Sequence, residues 1–205
     1  MKVLVLDTET LGVADPSVYN FGYLIYDTVD GKTLVERDYI STEIYDNHRE
    51  MSKAFYKNKI PLYEQRLADG SCKKMKWSYV LRMFKRDINK FKPDGIFAYN
   101  SGFDFRAIAK TCEKLGTKTN PTSHGIRDIW KGLTDPLITS TPEYQDFCRR
   151  NGYMTKHAKP KVRATAEIVY RYLTGQTEYE EEHTALADSK IECVILQRAL
   201  AIASA

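Results

Sequence analysis

The sequence predicts an α/β layer fold with a mixed sheet, in a single domain spanning residues 1–205. Three observations carry this prediction. The chain opens on an apolar run that reads as a buried strand, two strand patterns follow across a tight turn, and later strands alternate with amphipathic helices.

Each element follows from its residues. Lys2 to Asp7 is rich in Val and Leu and bounded by Gly12 and Pro16, the pattern of a strand covered on both faces. Tyr19 to Asp27 and Thr33 to Ser41 read as two further strands, joined at Val29-Asp30-Gly31-Lys32, where Asp-Gly favours a tight hairpin. From 50 to 92, aromatic, aliphatic and basic residues recur at helical spacing, ending in a helix from Ser78 to Phe91 stopped by Pro93. A short strand from Gly95 to Tyr99 leads into a helix of roughly Phe103 to Leu115, closed by Gly116. Gly125 to Arg127 reads as a last strand, and helices follow at Thr141 to Arg150, Ala164 to Thr174 and Thr184 to Ala203. No internal repeat, linker or low-complexity tract interrupts the pattern.

Composition narrows the class. A chain of 205 residues has room for one sizeable core, and its 42% hydrophobic content fits a globular protein. The longest apolar run is far too short to span a membrane, and the opening residues lack the h-region of a signal peptide, so cytoplasm is the expected location. Cys72, Cys112, Cys148 and Cys193 are scattered with no C-x-x-C pair, which argues against a zinc site or a disulfide framework and for reduced packing residues. A net charge of +4 identifies no partner by itself.

The informative residues are acids in apolar settings. In the first strand, Val3, Val5, Asp7 and Glu9 share one face, since side chains alternate with period two. Such a D-x-E can simply mark where a chain surfaces into a turn. Asp104, however, lies above Ile108, Cys112 and Leu115 and so heads the apolar stripe of its helix, although an acid there also suits the helix dipole. Asp188 likewise shares a face with Ile191 and Ile195 in the last helix, with His183 just before it. Buried carboxylates without partners cost several kcal/mol each, and like charges sharing a site drive their pKa values up. A divalent cation removes that penalty, and oxygen donors without Cys select Mg²⁺ or Mn²⁺ over zinc. Four acids and a histidine suit two-metal phosphodiester cleavage, in which ions roughly 3.5–4 Å apart hold the attacking and leaving oxygens.

Three blocks in order resemble a known family. Leu6-Asp7-Thr8-Glu9-Thr10-Leu11-Gly12, Asn100-Ser101-Gly102-Phe103-Asp104 and His183-Thr184-Ala185-Leu186-Ala187-Asp188 are similar to the three blocks of the DEDDh 3′→5′ exonucleases. That family includes the proofreading subunit of bacterial replicative polymerase, ribonuclease T and oligoribonuclease. The resemblance runs from Lys2 to about Leu200 and implies a ribonuclease-H-like three-layer fold, a mixed five-stranded sheet flanked by helices. It further implies that Asp7, Glu9, Asp104 and Asp188 hold two Mg²⁺ or Mn²⁺ ions, with Asp7 bridging them. His183 would deprotonate the attacking water, and Asn100 would orient the site. By the same resemblance Thr8, Thr10 and Leu11 would cradle the terminal nucleotide, with Leu11 wedged against its base. Leu11 intervenes between Thr10 and Gly12, where the family commonly has Thr-Gly, so the fit of that base is where this chain departs. The segment from Ser41 to Ser78 matches none of the blocks.

Basic residues suggest where a nucleic acid would lie. Arg149, Arg150, Lys156, His157, Lys159, Lys161 and Arg163 form a basic stretch, ahead of the last block, that no acid interrupts; Lys159, Lys161 and Arg163 are the phosphate-binding candidates, the alternative being a solvated loop. A second basic stretch from Lys53 to Lys92 is interleaved with Phe55, Tyr56, Tyr63, Trp77 and Tyr79, a mixture that suits single strands and equally a helix face with snorkelling lysines. Glu178, Glu180, Glu181 and Glu182 read as loop solvation. The expected partner is a single-stranded 3′ end, DNA ahead of RNA, a distinction that a single 2′-hydroxyl contact would decide. A homodimer or a polymerase association is unreadable from the residues. A catalytically dead polymerase-accessory module is disfavoured because every acid is present. A haloacid-dehalogenase-type phosphatase is disfavoured because Glu9 stands where that chemistry wants aspartate.

Overall fold

The computed structural model describes residues 1–118 and 125–204. Its sheet runs β4-β3-β2-β1-β5-β6. The strands are β1 (Lys2–Thr10), β2 (Val18–Asp27), β3 (Lys32–Ser41), β4 (Lys73–Met75), β5 (Gly95–Ala98) and β6 (Arg127–Asp128). β1, β2 and β3 form the antiparallel meander that the Asp30-Gly31 turn predicts, with Gly31 at φ +65°. β5 joins β1 in parallel, β6 joins β5, and β4 joins β3. The expected five strands are thus six among the described residues. The addition, β4, is a three-residue edge strand, too short to show an alternation in the sequence.

β1 divides two cores because its alternate residues face opposite layers. Leu4 and Leu6 pack with Phe21, Trp77, Phe84 and Ile108, beneath α4 (Trp77–Phe91) and α5 (Ser101–Lys114). Val3 and Val5 pack with Ile191, Ile195 and Leu196 of α8 (Ala185–Ala203), alongside α6 (Pro142–Arg150) and α7 (Ala166–Thr174). Asp7 and Glu9 continue the Val3–Val5 face and so point toward α8. Each buried aliphatic side chain contributes about 1.5–3 kcal/mol, and this strand supplies four.

A third, smaller core lies under the segment that matches no family block. α1 (Thr42–Tyr45), α2 (His48–Met51) and α3 (Ile60–Asp69) enclose Leu11, Tyr19, Ile40, Ile44, Tyr45 and Tyr63. Pro61 starts α3 and Gly70, at φ +78°, ends it. Tyr63 and Trp77 are therefore core residues and not part of a basic, aromatic binding face. Trp130–Thr139 forms a π-helix, which the Ser140 N–H closes by donating to the Asp135 carbonyl five residues back. The four cysteines are buried, as expected of packing residues. Among the described residues, no helix is long and apolar enough to cross a membrane.

Candidate active site

The acids singled out in the sequence meet in one cavity. Its volume is about 580 Å³, and Asp7, Glu9, Asp104, Asp188 and His183 all line it. Three elements distant in sequence supply the carboxylates: the end of β1, the first turn of α5 and the first turn of α8. Asn100, at φ +62°, caps α5 and turns the chain from β5 into that helix at the cavity wall. A non-glycine residue in this conformation is uncommon, and Asn tolerates it best. The Thr8 hydroxyl donates to Asp104 Oδ1 at 2.7 Å and so orients that carboxylate from the opposite face of β1.

α8 reaches the site because Gly22 lets it. Gly22 pairs with Asp7 across the β1–β2 ladder, and a Cβ there would lie 2.1 Å from the Leu186 nitrogen and 2.2 Å from the Ala185 carbonyl carbon. The helix start therefore rests directly on β2. Asn20, whose neighbour on β1 is Glu9, accepts the Ala185 N–H at 2.8 Å and fixes the same end.

Sequence reasoning missed two further acids. Glu192 lies one turn beyond Asp188 on the buried face of α8, accepts the Tyr99 N–H at 3.2 Å and lines the cavity. Its signal was legible in the spacing of four from Asp188. Glu181, read as loop solvation, also lines the cavity, with Nδ1 of His183 3.7 Å away; Glu182 pairs with Arg66. Tyr56, one of the aromatics of the second basic stretch, forms an aromatic wall together with Tyr99 and Trp130, which no local pattern announced. Tyr56 stacks on His183 at 4.2 Å, while Tyr99 and Trp130 lie parallel at 6.3 Å.

The other predicted binding residues divide. Thr8, Asn100, Lys161 and Arg163 line the cavity. The last two come from a loop folded back by the Met154–Val162 bridge, with the Arg163 N–H donating to the Tyr153 carbonyl. Lys159 is exposed and lies outside the lining. Thr10 and Leu11 are buried and also lie outside it, because a bulge between Glu9 and Thr10 turns the strand and Leu11 enters the third core.

Gathering these acids raises their proton affinity. Burial, then repulsion from Asp104 and Glu181, pushes Asp7 well above the usual carboxylate range. Burial, then Asp7, does the same for Glu9, Asp188 and Glu192. Burial also raises Asp104, against the opposing hydrogen bond from Thr8. Glu181 is pushed up to about 7 by burial and by Glu167. His183 moves the other way, lowered by burial and then by the Lys59 charge.

Such a site suits a hard cation. Glu9, His183 and Asp188 each offer a ligand atom within 4.8 Å of the others, and Asp188 Oδ1 is buried with no hydrogen-bond partner among the described residues. An orphaned carboxylate oxygen among like charges is the donor a divalent ion satisfies.

No protein-family model and no curated protein matches the chain by sequence. Among solved structures, the nuclease domain of 3'hExo, a DEDDh family member bound to rAMP, is similar over 98% of this chain and 92% of that one, with a TM-score of 0.60 at 12% identity. The chain has the ribonuclease-H-like fold of that nuclease domain. The mixed, helix-flanked sheet expected from the three blocks is therefore the one observed.

Proposed function

We propose that this chain is a metal-dependent 3′→5′ exonuclease of the DEDDh type, releasing nucleoside monophosphates from single-stranded 3′ ends. One observation carries the reading: Asp7, Glu9, Asp104 and Asp188 converge with His183 on one cavity, where Asp188 Oδ1 is buried and has no hydrogen-bond partner among the described residues. Asp7, Glu9, Asp104 and Asp188 would hold two Mg²⁺ or Mn²⁺ ions, which supply neutralisation of the acids and Lewis-acid stabilisation of phosphate charge when bound. Glu192 and Glu181 line the same cavity, and a bound cation would favour their ionised forms.

The chain's own residues supply the rest. With its pKa lowered, His183 stands neutral at pH 7, and Nδ1, the ring nitrogen turned toward the carboxylates, would take a proton from an attacking water. Tyr56 holds the ring by stacking, which limits its rotation. Lys161 and Arg163 at the rim suit the phosphates of the strand, and Tyr99 with Trp130 provides a flat wall for a base or sugar.

Single-stranded DNA is the substrate we place first. The rAMP bound in the structural neighbour favours a second reading, in which the strand is RNA. A gel time course with 5′-labelled DNA and matched RNA, in Mg²⁺, Mn²⁺ or EDTA, separates them. The expected result is a metal-dependent ladder shortening from the 3′ end, its faster arm naming the sugar. Intact label on both strands at saturating metal would overturn the proposal.

A further inference from the structure

The segment between β3 and α4, which resembles none of the family blocks, contacts the catalytic loop at several points. From α3, Arg66 Nη2 donates to Glu182 Oε1 at 2.5 Å, and Nη1 donates to Thr184 Oγ1 at 3.0 Å and to Asp38 Oδ2 at 3.3 Å. Glu182 and Thr184 flank His183. One turn earlier, the Tyr63 hydroxyl donates to Asn20 Oδ1 at 3.1 Å and meets the His183 carbonyl at 3.4 Å. Asp38 closes the network by accepting from the Asn20 amide at 2.6 Å.

The backbone that this network grips is itself unusual. His183 sits at φ +57°, a left-handed conformation that few side-chain-bearing residues adopt and that persists where surrounding contacts over-determine it. Arg66 grips the residues on either side, and its planar fork delivers two bonds at fixed spacing that an ammonium group would not reproduce. Its side chain is 21% exposed and its partner Asp38 is 1% exposed, so the contact is partly shielded from solvent.

Resting on the exonuclease reading above, we propose that Arg66 is a positioning residue. It holds the Glu182–Thr184 turn in the left-handed conformation that aims His183 at the carboxylates, acting through the backbone and not on substrate. α3 then serves as a clamp on the catalytic loop, which assigns a role to that part of the segment between β3 and α4.

The test is a double-mutant cycle on single-strand cleavage, paired with amide hydrogen exchange of residues 181–186. Arg66→Ala should lower kcat by about tenfold to a hundredfold with KM within about twofold, the scale of a displaced catalytic group. In the His183→Ala background the same substitution should have almost no further effect on rate, because the group it aims is gone. Arg66→Lys should restore only part of kcat. Exchange across 181–186 should quicken in Arg66→Ala while the sheet amides stay protected. An equal fold-loss in both backgrounds would overturn the proposal in favour of a general structural role, as would an unchanged kcat. If Arg66→Ala does not fold, Glu182→Ala breaks the same ion pair from its more exposed end and carries the same cycle. Exchange also separates the two readings: quickened exchange in Arg66→Ala, where the parent itself has no nuclease activity, would leave the clamp standing and reject the exonuclease.

Discussion

Asp7 sits at the centre of the acid cluster, next to both β2 and the first turn of α8, and it raises the proton affinity of Glu9, Asp188 and Glu192. Removing it has two opposite consequences. Asp7→Ala should abolish Mg²⁺-dependent cleavage, yet the metal-free protein should melt no lower than the parent, because a buried like charge has been taken away. Calorimetry in EDTA beside a cleavage assay checks both, and retained cleavage would place the metal elsewhere. The proposed role of His183 differs, since it would move a proton. His183→Ala should lower kcat by about 10²- to 10⁴-fold while the Mg²⁺-induced rise in melting temperature is largely kept. A variant as fast as the parent would remove His183 from the chemistry. Nearly all of this core site is legible from residues, since an acid heading an apolar stripe is anomalous wherever it occurs. Glu181 and Arg66 are not, because a glutamate in an acidic run and an arginine on a short helix look like ordinary surface until the fold brings them together.

At the scale of elements, the contact between β2 and α8 decides whether the site assembles. The Gly22 position leaves no room for a Cβ against the Ala185 and Leu186 backbone, so Gly22→Ala should push α8 outward. The expected cost is roughly 1–3 kcal/mol or more of stability, accompanied by loss of activity as Asp188 and Glu192 withdraw from Asp7. Denaturant titration alongside the cleavage assay measures it, and an unchanged midpoint with full activity would show that α8 seats some other way. The same logic of spacing explains which elements are readable in the sequence. β1, the Asp30-Gly31 hairpin, α4 and α8 are long enough to display a period of two or 3.6. α1 and α2 span four residues each and β4 three, too few to repeat any pattern. The π-helix is hidden for another reason: Pro136 reads as a breaker, and winding with bonds five residues apart does not follow the 3.6 period.

Across the whole molecule, the cavity stores electrostatic repulsion that the two cores must hold together. Asp7, Glu9, Asp104, Asp188 and Glu192 all have folded-state pKa values above the ordinary carboxylate range of about 4, chiefly through burial, and Glu181 reaches about 7. The native state therefore binds more protons than the unfolded chain between about pH 4 and these raised values, so stability falls as pH rises through that window. This is the reverse of a salt-bridged acid, whose contribution is lost on acidification. A bound divalent metal, as proposed above, would take over the role of the protons, and its stabilisation should be largest where the acids are most fully ionised. At a hundredfold excess over Kd, binding contributes about 2.7 kcal/mol. Melting temperatures measured from pH 5 to pH 8 in EDTA should decline, and the increment on adding Mg²⁺ should grow over the same interval. Asp7→Ala isolates the site from other titrating groups, because its EDTA profile should be flatter than the parent's and its Mg²⁺ increment small throughout. An increment independent of pH in the parent would mean that the cation binds outside the acid cluster.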